Sequence, residues 1–362
     1  MNEGAGLVRP SLDQIPAADP TARVPADVAS LGLNEGQSGP FPAALEAIAA
    51  ATHTLNRYPA RGSLELVTAL AGRHDLPTEQ VIVAAGADAL IGYVCQAVLD
   101  PGDEVVIPWP SFPSFLRDAQ KRDAIPVLVP LVEGAVEIEA LRASVTPRTR
   151  LLFLATPNNP TGLEVSRDDA LALVRDLPEH VLAVVDEAYF DYLEPDTGLD
   201  TIADLVKAGE SAVALRTFSK LYGLAGLRVG YAAGPAAVIA AMRKVQRGYD
   251  VGALAQVAAL ASLDDTEEPA RRREANRTAM AALTAIVTAH GLEPLRGSMT
   301  NFVLVDVGSD ADAAAAALLA HGVAVQSGAP FGAPTSLRIG AGSADDMERL
   351  DAALAAAGFS RS

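Results

Sequence analysis

Between Val81 and Gly234 the chain alternates short, largely apolar and β-branched runs with longer segments of helical periodicity. The runs are Val81-Ile82-Val83, Glu104-Val105-Val106-Ile107, Pro126-Val127-Leu128-Val129, Leu151-Leu152-Phe153-Leu154, Val181 to Val185, and Ala212-Val213-Ala214-Leu215. Runs without polar alternation predict strands buried on both faces, the mark of a mostly parallel α/β sheet flanked by helices. Several runs end in polar or glycine-rich tips: Gly86-Ala87-Asp88, Pro157-Asn158-Asn159-Pro160-Thr161-Gly162, Asp186-Glu187-Ala188-Tyr189 and Ser219-Lys220. Ligands of open α/β sheets bind beyond the carboxyl ends of strands, so these four tips are expected to line one crevice.

After about Asp265 the pattern changes. An Arg- and Ala-rich helix (Pro269 to His290) precedes a strand-like Asn301 to Val305, an alanine helix (Asp312 to Ala320), a strand around Val323, another at Ser336-Leu337-Arg338-Ile339, and a closing helix. This predicts a smaller α+β unit.

Composition narrows the functional classes. The chain has 362 residues, half of them apolar, enough for a large core and about two domains. Its formal charge of -17 argues against non-specific binding to nucleic acid or anionic lipid. Cys95 has no second cysteine to pair with, and the five histidines lack metal-ligand spacing, so a reducing, cytoplasmic setting without a metal site is expected. Met1 to Pro20 has neither a basic start nor an apolar core, which excludes a signal peptide, and no apolar run approaches the roughly 20 residues of a membrane span.

The tips carry the candidate chemistry. Thr217 to Arg228 brings a hydroxyl, an amine and a guanidinium together around a glycine-broken turn. Such a set suits a phosphorylated aldehyde: Lys220 could form an imine with pyridoxal phosphate while Ser219 and Arg228 hold the phosphate. Taken alone, the segment reads slightly better as ordinary surface and cap residues. Asp186 follows an apolar strand and either caps the next element or keeps a pyridine nitrogen protonated. Tyr189, and Asn159 from the Asn-Pro-Gly turn, could donate to the cofactor's phenolate oxygen. Gly86-Ala87-Asp88 opens an apolar helix whose N-terminus favours a phosphate. Phe112, within the cluster Trp109 to Phe115, could stack on a flat ring, although core packing explains the cluster too. Arg338 is a cation in an apolar strand with no neighbouring acid, and it pairs either with a distant carboxylate or with a substrate α-carboxylate. Cys95 lies among Val94 and Val98 and reads as a core filler.

These motifs, in this order, resemble the fold-type I pyridoxal-phosphate aminotransferases, in particular the histidinol-phosphate aminotransferase group and its actinobacterial aromatic branch. The resemblance spans nearly the whole chain, including Leu33-Asn34-Glu35, Asn56-Arg57-Tyr58-Pro59, Pro101-Gly102-Asp103-Glu104-Val105 and Leu337-Arg338-Ile339. It implies a seven-stranded, mostly parallel sheet in a large domain over 45–265, a small α+β domain over 266–362, and an N-terminal arm over 1–44 packing with the small domain. It implies Lys220 as the imine-forming and proton-transfer residue, Asp186 on the pyridine nitrogen, and Tyr189 with Asn159 on the phenolate. Ala87, Asp88, Ser219 and Arg228 are implied around the phosphate, and Phe112 over the ring. Tyr58 resembles the residue that reaches the cofactor phosphate of a neighbouring subunit, which implies a homodimer with shared sites. Arg338 is implied as the α-carboxylate clamp, with Asn34 and Gln326 also toward the substrate.

Gln326 stands where many relatives carry an arginine for a second acidic group, and Ala89 and Gly36-Gln37 also depart from the histidinol-phosphate pattern. Trp109-Pro110-Ser111-Phe112 and Arg243-Lys244-Val245-Gln246 resemble the aromatic branch. The expected reaction is transfer of the amino group of an aromatic or apolar L-amino acid, or of histidinol phosphate, to a 2-oxo acid such as 2-oxoglutarate. The alternatives on the same scaffold are a decarboxylase similar to threonine-phosphate decarboxylase, or a specialised-metabolism aminotransferase with an unusual substrate. A cofactor-sensing regulator would need a DNA-binding module, for which the roughly 30 residues before Asn34 are too few.

Overall fold

The computed structural model describes residues 27–359 continuously, together with residues 8, 9, 12, 13, 15–17 and 25. Much of the expected arm before residue 27 therefore lies outside the described residues, as do 360–362.

The strands are β1 (Ala29–Ser30), β2 (Val81–Ala84), β3 (Glu104–Trp109), β4 (Ile125–Pro130), β5 (Thr149–Ala155), β6 (Leu182–Asp186), β7 (Ala212–Thr217), β8 (Gly230–Ala233), β9 (Phe302–Asp306), β10 (Val323–Ala324), β11 (Gln326–Ser327) and β12 (Ser336–Gly340). Seven of them form the central sheet in the order β2-β8-β7-β6-β5-β3-β4. The pairs from β7 to β4 are parallel, whereas β8 runs antiparallel to both its neighbours. The seven-stranded, mostly parallel expectation holds, and every apolar run named above is a strand of this sheet.

The period of two along β5 explains the layering. Leu151 and Phe153 face one buried cluster with helix residues Leu90, Ile91 and Val94, while Leu152 and Leu154 face another with Leu171 and Val174. Cys95 is fully buried in the first cluster, as a core filler should be. β8 escapes the run pattern because Gly-Tyr-Ala-Ala has no β-branched residue. Its glycine serves a close approach: a Cβ at Gly230 would lie 2.8 Å from the Arg216 carbonyl oxygen and 3.0 Å from the Ala87 nitrogen.

The C-terminal segment builds a three-stranded antiparallel sheet, β11-β12-β9, over its own core of Val303, Val305, Leu337 and Ile339 with helix residues Leu283 and Leu350. Ala29 and Leu31 belong to this core, and β1 pairs in parallel with β10. Residues 29–34 thus run from the C-terminal core to the tips of the central sheet.

Candidate active site

The carboxyl tips of β2, β3, β5, β6 and β7 open into one pocket, lined among others by Ala87, Asp88, Phe112, Asn159, Asp186, Tyr189, Ser219, Lys220 and Arg228. The four polar tips therefore do converge, and all nine of the residues just named were expected from the sequence.

At the floor, Asp186 ends β6 at 6% exposure. One carboxylate oxygen accepts from the Ala188 backbone N–H at 3.0 Å, and no cation pairs with it among the described residues. Burial pushes its pKa up to about 7, helped by the neighbouring Glu187 carboxylate. Glu187 itself turns away from the pocket to a buried ion pair, 2.8 Å from the Arg216 guanidinium. Lys220 Nζ donates to the carbonyls of Leu33 and Asn34, each at 3.1 Å. Loss of solvation, then the positive field of Arg338, brings its pKa down to about 7. An amine in that state is both nucleophilic and able to carry a proton near neutrality.

One wall is an anion cradle. Gly86, at φ 86°, starts helix Ala87–Val98, whose first N–H groups have no partner within the helix. The Asp88 carboxylate is occupied by the Ser114 hydroxyl, itself held by Arg117 at 2.9 Å. Opposite, Thr217 Oγ1 donates to Ser219 Oγ at 2.9 Å, and Arg228, left-handed at φ 53°, reaches Ser219 Oγ at 3.4 Å.

Arg338, Gln326 and Asn34, also expected at the site, are not among the lining residues; Arg338 stands behind Asn159, where it suits a carboxylate. Arg338 is 4% exposed, yet among the described residues it meets no acid: Nη1 donates to Asn159 Oδ1 and Nη2 to the Gly32 carbonyl, both at 2.6 Å, and Nε is left unsatisfied. A buried guanidinium without a counter-ion is costly unless a ligand supplies one. Gln326 stands directly across from Arg338 in the β11–β12 pairing, its amide donating to the Ser327 carbonyl at 2.9 Å. Because Arg338 takes the Asn159 oxygen, the Asn159 amide nitrogen is left for the pocket. Tyr189 OH likewise accepts from Asn34 Nδ2 at 2.9 Å and keeps its own hydrogen to donate.

Tyr58 is not in its own chain's pocket. It is 82% exposed and stacks on Tyr249 with ring centroids 4.7 Å apart.

Two asparagines were not singled out from the sequence. Asn158, next to the expected Asn159, takes the Ser111 hydroxyl at 2.8 Å and donates to the Pro110 carbonyl at 3.1 Å, tying the Phe112 loop to the β5 tip. Asn301 donates to the Asn34 and Glu35 carbonyls at 3.2 and 3.1 Å. At the start of a strand-like run it looks like an ordinary cap, and only its distant partners reveal it.

The pocket fits a flat, phosphorylated ring with an aldehyde: a buried acid for a ring nitrogen, two donors for a ring oxygen, an amine, and a cradle for an anion. The cradle has no room to spare, since a Cβ at Gly86 would come within 2.8 Å of Arg228 Nη2. Residues 26–356 match the family described as aminotransferase class I and II. The chain belongs to that family. It is a transaminase and uses pyridoxal phosphate. This aminotransferase is 40% identical over 305 residues to the aromatic amino acid aminotransferase of Mycobacterium tuberculosis, covering 83% of this chain and 85% of the relative. It is 37% identical to the enzyme of the same name from Corynebacterium glutamicum, covering 95% and 97%. Histidinol-phosphate aminotransferase from Sinorhizobium meliloti, solved in complex with pyridoxal-5'-phosphate, superposes with a TM-score of 0.87 at 30% identity over 96% of each chain. Among the described residues no helix of this aminotransferase is long and apolar enough to cross a membrane.

Proposed function

We propose that this aminotransferase takes the amino group from an aromatic or large apolar L-amino acid and passes it to a 2-oxo acid such as 2-oxoglutarate, as a homodimer with shared sites in the cytoplasm. The observation that carries the donor class is the pair behind Asn159: a buried Arg338 with no acid beside it among the described residues, and a neutral Gln326 directly across. Arg338 would take the α-carboxylate through charge-assisted bonds. Gln326 offers no charge to a phosphate or a second carboxylate, which favours an uncharged side chain. The names of the actinobacterial relatives support the same class.

Pyridoxal phosphate, when bound, supplies an aldehyde that receives the amino group and a ring that draws off electrons released at the substrate's α-carbon. Asp186 would hold the ring nitrogen's proton; Tyr189 and Asn159 would donate to the ring oxygen. Ser219, Arg228 and the backbone N–H groups of Ala87 and Asp88 would hold the phosphate, with Phe112 over the ring. Lys220 Nζ would anchor the aldehyde carbon and, once free, move a proton at the α-carbon, a task matched by a pKa near 7. Asn34 would hold Tyr189 in register. Tyr58 would reach the phosphate of the partner's cofactor.

The test is to mix holoenzyme separately with phenylalanine, leucine, histidinol phosphate and aspartate, and to follow the visible cofactor band. Conversion should be fastest with phenylalanine. Faster conversion with histidinol phosphate or aspartate would refute the donor class, and carbon dioxide release without a 2-oxo acid would mark a decarboxylase.

A further inference from the structure

The chain's single tryptophan, Trp109, is the last residue of β3 and is half-buried. Facing it is the hairpin β11–β12, which carries Gln326 and Arg338 opposite each other at its feet. The hairpin's tip is a short 3-10 turn, Ala329–Phe331, closed by Gly332 at φ 92°. A Cβ at Gly332 would overlap the Trp109 indole, so the ring sits directly on the glycine backbone. Phe331, the next residue back, is buried, and its ring centre is 4.7 Å from the Arg338 guanidinium carbon. Phe302 lies 5.5 Å from the same carbon and meets Tyr189 edge-on at 5.3 Å.

The loop that carries Trp109 is equally fixed on its other side. Asn158 binds Pro110 and Ser111, and the adjacent Asn159 accepts from Arg338. Trp109 therefore stands where the tip of the central sheet meets the hairpin bearing the carboxylate clamp. Phe331 and Phe302 are the rings beside Arg338, Trp109 meets the same hairpin at Gly332, and Phe112, three residues on, lines the pocket. Aromatic walls favour an aromatic guest by offset and edge-on contacts.

We propose that Trp109, seated on Gly332, is a specificity-determining residue of the amino-donor subsite, which selects a flat aromatic side chain over an aliphatic one. This rests on the aromatic reading above and assigns the residue that enforces it. The glycine matters because any side chain at 332 would lift the indole and alter the width of the slot.

Trp109 is the sole tryptophan, so indole emission of the holoenzyme reports on this junction alone. Titration with hydrocinnamate, an aromatic carboxylate without an amino group, should shift that emission, and hexanoate should shift it far less. Trp109→Ala should raise KM for phenylalanine by roughly 10- to 100-fold while changing KM for leucine less than about threefold. Trp109→Phe should recover most of the loss, and Gly332→Ala should move KM in the same direction as Trp109→Ala. Equal losses for phenylalanine and leucine in Trp109→Ala would overturn the proposal. So would unchanged indole emission while the visible cofactor band shows hydrocinnamate bound. Wild-type enzyme that converts no aromatic donor at all would refute the aromatic reading itself, before any variant is made.

Discussion

Asp186 and Lys220 are both displaced toward neutrality, and their displacements act on stability in opposite pH directions. Asp186 has a folded-state pKa of about 7 against an ordinary value near 4, so its contribution favours the fold at low pH and is lost as pH rises through 7. Lys220, brought down to about 7, favours the fold above the ordinary lysine range, and that contribution is lost as pH falls through 7. The protein without cofactor therefore bears the cost of Asp186 in full at pH 8. Asp186→Asn should stabilise the apoprotein there by on the order of 2–4 kcal/mol, with the gap narrowing as pH falls below 7 and closing at about pH 4. Denaturant unfolding of both apoproteins at the two pH values checks this; equal stability at pH 8 would refute it. The same substitution should slow the holoenzyme by on the order of a hundredfold, since an amide does not hold the ring proton. Asp186 and Lys220 were legible because a polar residue at the tip of an apolar run is conspicuous. Asn34 was legible only through the resemblance and Asn301 not at all, because what each does is decided by partners such as Tyr189, 155 residues away.

At the scale of elements, the start of helix Ala87–Val98 is the feature most sensitive to a single atom. Gly86 is left-handed there, and a Cβ would press on Arg228 Nη2 from 2.8 Å. Gly86→Ala should lower stability by about 1–2 kcal/mol through backbone strain and weaken cofactor binding by roughly tenfold or more as Arg228 is displaced. Cofactor affinity measured by equilibrium dialysis separates the two effects. Unchanged affinity in a folded variant would show that Arg228 does not serve the cradle. The buried strands were readable from composition alone because both faces of β5 and β6 are dry. β8 was not, since its small residues answer to the crowding of Arg216 and Ala87 and not to strand propensity. β1 and β10 are two residues each, too short for periodicity to show.

For the whole molecule, we read three parts: an arm over 1–44, a large part over 45–265 and a small one over 266–362. The residues that line the pocket all belong to the large part, and the other two approach it through hydrogen bonds, with Lys220 and Arg338 both donating to carbonyls of residues 32–34. Tyr58 stands apart from this assembly at 82% exposure, with Leu45, Leu55 and Leu64 also more than half exposed along the same stretch of chain. A large aromatic ring left in water beside exposed leucines fits a surface that a second copy covers. If Tyr58 completes the partner's pocket, a subunit lacking Lys220 can still complete one that has it. Lys220→Ala and Tyr58→Ala enzymes, each prepared separately, should both be strongly impaired. Refolding or exchanging them as an equal mixture gives about half hybrid dimers, each with one site holding both residues, so activity should return to roughly a quarter of wild type. A mixture no more active than the average of its two parents would place Tyr58 outside the partner's site. A Tyr58→Ala enzyme with full activity and unaltered cofactor affinity would do the same without any mixing.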